Sequence, residues 1–189
     1  MLIEGSAGGR LCVDHELNDI IGKAMSGDKE AFALLVSRFK DSVFRYAYGM
    51  LGDRMEAEDV AQEAFIKAFY AISKLDNSYA FTSWLKRIIS NLCYDRIQKQ
   101  KKTSAVSGEL IEKQRSNNDI ERTDLHITIE EAMSKLSPEH REVIILKDVE
   151  GYSYDELAGM LHIPLGTVKS RINAARLLLR KEMLREMEE

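Results

Sequence analysis

The sequence predicts an all-α protein with two small helical domains joined by a flexible linker, and with a helix-turn-helix in the second domain. Apolar residues recur at helical spacing along almost the whole chain, and its only prolines are Pro138 and Pro164. Residues 103–123 carry mixed charge and small polar side chains without an aromatic, so this segment can bury little apolar surface. We therefore assign residues 15–102 to the first domain, 103–123 to the linker and 124–189 to the second domain.

The first domain is predicted to contain three long helices. Apolar residues on one stripe mark the first helix over 32–50, and a capping pair formed by Asp53 and Glu56 opens the second. The helical spacing of apolar residues is interrupted before Trp84, and the third helix is predicted to begin near this residue. Its C-terminal end is rich in lysine. The Gly-rich start of the chain is expected to be disordered over residues 1–14.

The second domain ends in a predicted helix, tight turn and helix. Ser137 and Pro138, a cap residue and a first-turn proline, open an earlier helix. Ser153 and Glu156 then match a capping box that opens a short helix, which is followed by a turn and by a last helix from Leu165. This arrangement is the one that helix-turn-helix proteins use to read DNA.

Composition indicates a soluble globular protein, since 44% of the 189 residues are hydrophobic and 31% are charged. No apolar run approaches the roughly 18 residues that span a bilayer, and the N-terminus does not resemble a secretory signal. We therefore expect a cytoplasmic protein without membrane insertion. Cys12 and Cys93 support neither a disulfide framework nor a zinc site, and the four histidines lack paired-ligand spacing, so we expect no metal and no cofactor.

The net charge of −4 is distributed unevenly. Residues 84–102 hold six Lys or Arg against one acid, and residues 164–181 hold five Lys or Arg and no acid. Residues 53–63 reverse this balance, with five acids against one Arg. Two basic zones and one acidic zone suggest two kinds of partner, although ordinary solvated helix faces are the alternative interpretation.

The last helix has one buried stripe and an outward surface suited to a major groove. Its outward ridges carry Thr167, Lys169, Ser170, Arg171, Asn173 and Arg176. Lys and Arg can donate to guanine edges or phosphates, and Asn can pair with adenine. Gly166 lets the helix start approach DNA closely, and the free amides there suit a phosphate. A surface helix with solvated basic residues is the alternative.

A family resemblance supports this interpretation of the second domain. Residues 151–158 (GYSYDELA) and 164–171 (PLGTVKSR) resemble region 4 of the extracytoplasmic-function sigma factors, in the sigma-70 superfamily. In that family this segment is a helix-turn-helix whose second helix reads the minus-thirty-five promoter element. The resemblance makes Lys169, Ser170, Arg171, Asn173 and Arg176 the readers of this element, and the start of the helix adds Gly166 and Thr167 to the predicted contact. Ala174 stands where the family usually has Arg, so we expect a different promoter preference.

The acidic zone resembles the polymerase-clamp-binding helix of region 2 through residues 58–65 (EDVAQEAF). Asp59, Gln62, Glu63 and Ile66 follow i, i+3, i+4, i+7 steps, which make a polar stripe with an apolar anchor. The resemblance implies that this stripe docks on the clamp of core RNA polymerase. Paired carboxylates also occur in catalytic and metal sites, but no histidine or nucleophile accompanies these.

Residues 81–88 (FTSWLKRI) resemble the segment that recognises the minus-ten element in the same family. One helical strip is predicted to hold unpaired bases and grip the strand, with the members Trp84, Arg87, Asn91, Tyr94 and Gln98. By the same resemblance, Asn77, Ser78 and Tyr79 form a loop that encloses a flipped base. A lone Trp at the edge of an apolar stripe is more often a core residue, and Gln98 stands where the family often has Arg.

The sequence therefore predicts an alternative sigma factor without catalytic activity of its own. It is expected to bind core RNA polymerase, recognise minus-ten and minus-thirty-five elements in promoter DNA, and assist promoter melting. The family resemblance also implies an anti-sigma factor as a partner, which in this family is often anchored in the membrane. The alternative is a helix-turn-helix regulator that acts without polymerase. An enzyme is disfavoured because no nucleophile, base and metal set converges in the sequence.

Overall fold

The computed structural model describes residues 7–107 and 124–186 of the chain, and within them it contains helices and no β-strand. The helices are α1 (Ala7–Met25), α2 (Lys29–Leu51), α3 (Arg54–Ala71), α4 (Phe81–Ser107), α5 (Asp124–Lys135), α6 (Pro138–Ile144), α7 (Tyr154–Leu161) and α8 (Leu165–Glu186). The first domain consists of α1 to α4 and the second of α5 to α8. The predicted all-α architecture with two helical domains is confirmed.

Capping residues fix where the long helices of the first domain begin and end. The Asp28 side chain accepts hydrogen bonds from the amides of Glu30 and Ala31 at 2.9 and 3.0 Å, which starts α2. Gly52 ends that helix in the left-handed conformation, with a φ of 65°. Asp53 then caps α3 by accepting from the Glu56 amide at 2.9 Å, as the sequence predicted.

The helix-turn-helix of the second domain is likewise set by local hydrogen bonds. The Ser153 hydroxyl accepts from the Glu156 amide at 3.2 Å, and the Glu156 carboxylate accepts from the Ser153 amide at 2.7 Å. This reciprocal pair is the predicted capping box, and it starts α7. His162 ends α7 with a positive φ of 53°, which turns the chain into α8. Val168 and the rest of the buried stripe then anchor α8 on the domain.

Three boundaries differ from the sequence prediction. Helix α1 includes residues 7–14, for which we expected disorder, because the helix that buries Ile21 and Ala24 continues back through the Gly-rich segment. Residues 103–107 were assigned to the linker but continue α4, since their mixed polar character still permits helix. The helix predicted from Pro138 to near Gly151 is α-helical only over α6 and ends in a wider π-helical turn over Ile145–Val149. The remaining expectations for residues 1–6 and 108–123 lie outside the described residues.

The two domains pack against each other. Helices α6 and α7 of the second domain contact α2 and α4 of the first. Gly49 in α2 lies at this contact, since a Cβ built there would meet the Cδ1 atom of Ile145 at 2.9 Å. The absence of a side chain at Gly49 therefore allows the close approach of the second domain. None of the helices in the described part of the chain is long and apolar enough to cross a membrane.

The thiol of Cys93 provides a direct test of the first-domain core. Burial raises the pKa of this thiol to about 12, whereas a free thiol has a pKa of about 8.5. At pH near 8.5 we therefore expect Cys93 to react with iodoacetamide about a thousandfold more slowly in the folded protein than in denaturant, by thiolate fraction alone. Peptide mass spectrometry at this site measures both rates. Equal rates in the two conditions would contradict the buried position.

Candidate nucleic-acid and polymerase interfaces

The predicted docking stripe lies along α3, and its four residues differ in exposure. Asp59 and Gln62 are exposed, and Ile66 leaves 58% of its surface open to solvent. Glu63 is half-buried. An exposed acid, an amide and an apolar anchor at helical spacing suit contact with a basic partner helix. Three of the four stripe residues are therefore accessible to a partner.

Glu63 has a structural role that the sequence did not indicate. Its carboxylate contacts Lys67 in the same helix at 3.1 Å and Arg96 of α4 at 3.2 Å. These two cations hold the pKa of Glu63 below its usual range, with the Lys67 hydrogen bond as the largest cause. Arg96 also contacts Glu56 at 2.9 Å, so it ties α3 to α4. A substitution at Glu63 would disturb this helix pair as well as the docking stripe.

Two apolar residues beside the stripe were missed by the sequence reasoning. Met55 and Tyr70 of α3 each expose about three quarters of their surface, at 77% and 76%. Tyr70 lies one helical turn beyond Ile66, on the same side of the helix. Met55 lies four residues before Asp59, and Tyr70 lies four residues after Ile66. This helical spacing is the sequence signal by which the predicted stripe could have been extended to both residues. They add apolar surface to a face that is otherwise polar.

The predicted minus-ten strip lies along α4. Its solvent-exposed members are Arg87, Asn91 and Gln98. Trp84 and Tyr94 are half-buried, and the Trp84 ring packs beside Phe81 with 5.9 Å between the ring centroids. Trp84 therefore contributes to packing and still presents part of its ring to solvent. The strip combines aromatic surface with hydrogen-bond donors, which is the combination that holds single-stranded bases.

The predicted base-enclosing loop directly precedes this strip. Asn77 accepts a hydrogen bond from the Ala80 amide at 3.0 Å through its side chain, and it starts a short 3-10 turn over Ser78–Ala80. Tyr79 exposes 80% of its surface, whereas Ser78 is half-buried. The turn leads into α4 at Phe81. The structure thus brings the loop residues to the N-terminal end of the helix that carries the strip.

Helix α8 exposes most of its predicted reading face. The exposed members are Gly166, Thr167, Lys169, Ser170, Asn173 and Arg176. Val168, Ile172 and Ala175 on the opposite face are fully buried. Arg171 is half-buried at the side of the helix. The separation of a buried stripe from a polar face agrees with a recognition helix that is anchored on its domain.

One member of this face has an acidic partner within the second domain. Arg176 forms a two-pronged ion pair with Asp148, with its Nε atom 3.1 Å from Oδ2 of the carboxylate. The two residues are 28 positions apart, so local spacing gave no sign of this pair. A carboxylate on Arg176 occupies donors that a phosphate would otherwise use.

A cleft of about 340 Å³ lies between the domains and joins the two predicted DNA surfaces. Arg87, Asn91 and Tyr94 line it from α4, and His162 and Arg171 line it from the helix-turn-helix. The Nη1 atom of Arg87 is 3.2 Å from Nε2 of His162. Part of the predicted minus-ten strip therefore faces the second domain. Within the described residues no group of three His, Cys, Asp or Glu side chains is placed to hold a metal ion.

Comparison with protein families matches both halves of the chain. The family described as Sigma-70 region 2 matches residues 35–103, and the family described as Sigma-70, region 4 matches residues 126–179. The first match includes α3 and the strip on α4, and the second includes the helix-turn-helix. Both predicted surfaces of the first domain and the predicted reading residues of α8 therefore lie within matched segments.

Curated relatives resemble the chain over most of its length. It is 36% identical to the ECF RNA polymerase sigma factor SigW of Bacillus subtilis over 176 residues, which cover 86% of this chain and 94% of SigW. It is 32% identical to the RNA polymerase sigma-H factor of Pseudomonas aeruginosa over 170 residues, covering 83% of this chain and 88% of that factor.

Solved structures show a similar arrangement of helices. CnrH, in complex with the cytosolic domain of CnrY, matches with a TM-score of 0.65 and 26% identity over 87% of this chain and 95% of that chain. The sigma factor RpoE of Bartonella quintana, in complex with the anti-sigma factor NepR, matches with a TM-score of 0.68 and 25% identity over 80% of this chain and 96% of that chain.

The Arg176–Asp148 pair generates a test of the α8 surface. Substitution Asp148→Asn should release Arg176 and raise the affinity for duplex DNA a few-fold. The plot of log binding constant against log salt concentration should become steeper by about one unit of slope, because one phosphate contact is added. Fluorescence anisotropy of a labelled duplex over a salt series measures both quantities. Asp41→Asn makes the same change in net charge at an exposed position in α2 and is the matched control. An identical salt slope in both variants would argue against a DNA contact at Arg176.

Proposed function

Because this chain belongs to the extracytoplasmic-function sigma factors of the sigma-70 superfamily, we propose that three separate helices carry its contacts with polymerase and promoter DNA. The chain is an alternative sigma factor that directs transcription initiation. In the proposal, α3 docks on core RNA polymerase, α4 binds the minus-ten element and α8 reads the minus-thirty-five element. The observation that carries the proposal is that the matched region 2 segment holds both an exposed acidic stripe and an aromatic and polar strip.

The docking contact is proposed to centre on Asp59, Gln62 and Ile66. These three side chains are exposed on one side of α3, and Tyr70 extends the same side. Glu63 contributes charge, but its pairs with Lys67 and Arg96 hold it in place. We propose that the apolar Ile66 supplies the anchor and that the exposed acid selects a basic partner.

The minus-ten contact is proposed to use the α4 strip and the loop before it. The members are Asn77, Ser78, Tyr79, Trp84, Arg87, Asn91, Tyr94 and Gln98. Exposed donors on Arg87 and Asn91 can bond base edges or the backbone, and each base that stacks on an aromatic side chain contributes about 1 to 3 kcal/mol. An unpaired base held in this way favours the open duplex, which supports promoter melting.

The minus-thirty-five contact is proposed to use the exposed face of α8. The members are Gly166, Thr167, Lys169, Ser170, Arg171, Asn173 and Arg176. Lys and Arg position the helix on phosphates and can read guanine, whereas Asn173 suits adenine. Ala174 is exposed on this face and offers no donor, so this factor makes fewer contacts than a factor with Arg at that position.

Partners and location follow from the family and its solved complexes. RpoE of Bartonella quintana was solved with an anti-sigma factor, and CnrH with the cytosolic domain of CnrY. We propose that this factor acts in the cytoplasm, is held by an anti-sigma factor, and performs no catalysis itself. A helix-turn-helix regulator that acts without polymerase is not favoured, because such a function does not explain why residues 35–103 match Sigma-70 region 2.

Transcription in vitro tests the proposed function directly. Core RNA polymerase is incubated with a pool of random promoter sequences, with and without this protein, and the transcript starts are sequenced. We expect a set of starts that depends on the protein and shares two upstream elements. If the protein adds no promoter-specific starts, the proposed function is wrong.

Docking is tested by removing the exposed part of the α3 stripe. The double variant Asp59→Ala with Gln62→Ala should lose co-purification with core polymerase, by at least about tenfold, because two central contacts are truncated. Glu30→Ala, at an exposed position in α2 outside the docking stripe, is the control and should co-purify as the unsubstituted chain does, and Glu63 is left intact to preserve the Arg96 pair. Duplex binding should be unchanged in both variants. Undiminished co-purification would rule out this docking surface.

A further inference from the structure

The acids on α3 differ in whether another side chain of the protein pairs with them. Residues 53–63 hold five acids, which are Asp53, Glu56, Glu58, Asp59 and Glu63. The Asp53 side chain caps the helix, and Glu58 pairs with Arg54 at 2.9 Å. Glu56 and Glu63 both pair with Arg96 of α4. Asp59 is exposed, and among the described residues no cation or hydrogen-bond donor pairs with its side chain.

Arg96 holds its two acids in a fixed geometry. Its Nη1 atom is 2.9 Å from Oε2 of Glu56, and its Nη2 atom is 3.2 Å from Oε2 of Glu63. Because the guanidinium is planar, these two donors keep a constant separation. The two carboxylates raise the pKa of Arg96, with the Glu63 hydrogen bond as the largest cause. One cation from α4 therefore positions two acids of the docking helix.

Lys67 also contacts Glu63, but it restrains this carboxylate less. The two residues are one turn apart in α3, with 3.1 Å between the charged atoms, and the Lys67 side chain is 52% exposed. Exposed pairs at this spacing are weak, because water competes with them and the long side chains are mobile. Arg96 is only 28% exposed and has two acceptors. It is therefore the main determinant of where Glu56 and Glu63 lie.

Asp59 lies directly beside the acids that Arg96 holds. It is three residues after Glu56 and four residues before Glu63, so the three carboxylates are neighbours on the helix surface. Two exposed apolar residues, Met55 and Ile66, continue the helical spacing on either side of Asp59. A basic side chain that reaches Asp59 therefore comes close to Glu56 and Glu63, which would also accept it if Arg96 did not hold them.

We propose that Arg96 is a positioning residue for polymerase docking, which keeps Glu56 and Glu63 paired to α4 so that the partner meets one uncompensated acid, Asp59. This inference rests on the proposed docking role of α3. A single charge with apolar surface beside it favours one register of a basic partner helix, whereas three equivalent acids would accept several. Arg96 thus contributes to the specificity of docking without contacting the partner.

Removal of Arg96 should make docking depend less on Asp59. In the otherwise unsubstituted chain, Asp59→Asn should weaken binding to core RNA polymerase roughly tenfold, because the uncompensated acid is lost. In an Arg96→Gln background, the same substitution should weaken binding by no more than about threefold, since the released Glu56 and Glu63 can accept the partner's basic residue. Biolayer interferometry on immobilised core polymerase measures the four dissociation constants.

A purely structural role for Arg96 predicts a different result. General loosening of α3 would weaken binding independently of Asp59, so Asp59→Asn would cause the same loss in both backgrounds. Equal losses would overturn the positioning role. Circular dichroism and thermal unfolding establish that each variant is folded.

The conservative variant Arg96→Lys gives a second test that keeps the positive charge. An ammonium still neutralises an acid beside Asp59, although it does not reproduce the two-pronged contact of the guanidinium. The Asp59→Asn loss in this background should therefore exceed the loss in the Arg96→Gln background. If the two losses are equal, the proposed neutralisation by Arg96 is wrong.

Arg38→Gln is the matched control for charge. Arg38 is exposed on α2, and its substitution makes the same change in net charge as Arg96→Gln. In the Arg38→Gln background, Asp59→Asn should keep its roughly tenfold effect. Polymerase binding by Arg96→Gln should also fall more steeply with salt than binding by Arg38→Gln, because the released acids add charge at the contact itself. Identical salt dependence in the two variants would contradict the release of these acids.

The outcomes separate the positioning role from the proposed function. If the random-pool transcription assay yields starts that depend on the protein, and Asp59→Asn weakens docking equally in the unsubstituted and Arg96→Gln backgrounds, the positioning role is wrong and the sigma function stands. If Asp59→Asn leaves docking of the otherwise unsubstituted chain unchanged, the docking assignment of Asp59 is wrong, and so is the positioning role of Arg96.

Discussion

The need to satisfy one buried carboxylate determines how the two halves of this protein meet. Among the described residues, the donors found within hydrogen-bonding distance of the Glu142 carboxylate belong to α2 and α4, so its burial depends on this placement of the second domain. Lys86 and Glu150 add a charge pair at the same contact. Apolar packing alone would tolerate a sliding interface, whereas hydrogen bonds to a buried charge fix its register.

The same chemistry serves two purposes on α4. A surface that holds single-stranded bases needs aromatic rings and free hydrogen-bond donors, and Tyr94 and Arg87 provide them. Such a surface is also suited to cover an acid, because a phenol or guanidinium that would meet a nucleotide can donate to a carboxylate or an imidazole. The contacts of Tyr94 and Arg87 with the second domain thus follow from the composition of the strip, together with the placement of Glu142 and His162 opposite it.

Local features of this structure were predictable from the sequence, and contacts distant in sequence were not. The caps at Asp53 and Ser153 and the buried stripe of α8 depend on residues a few positions apart, and all were predicted. Glu142 bonds to Tyr46, 96 positions away, and no periodicity marks such a pair. Glu63 was predicted to dock outward, but the Arg96 contact from the next helix holds it half-buried. Pattern reasoning identifies faces of helices, whereas the partner of each face depends on the packing of the whole chain.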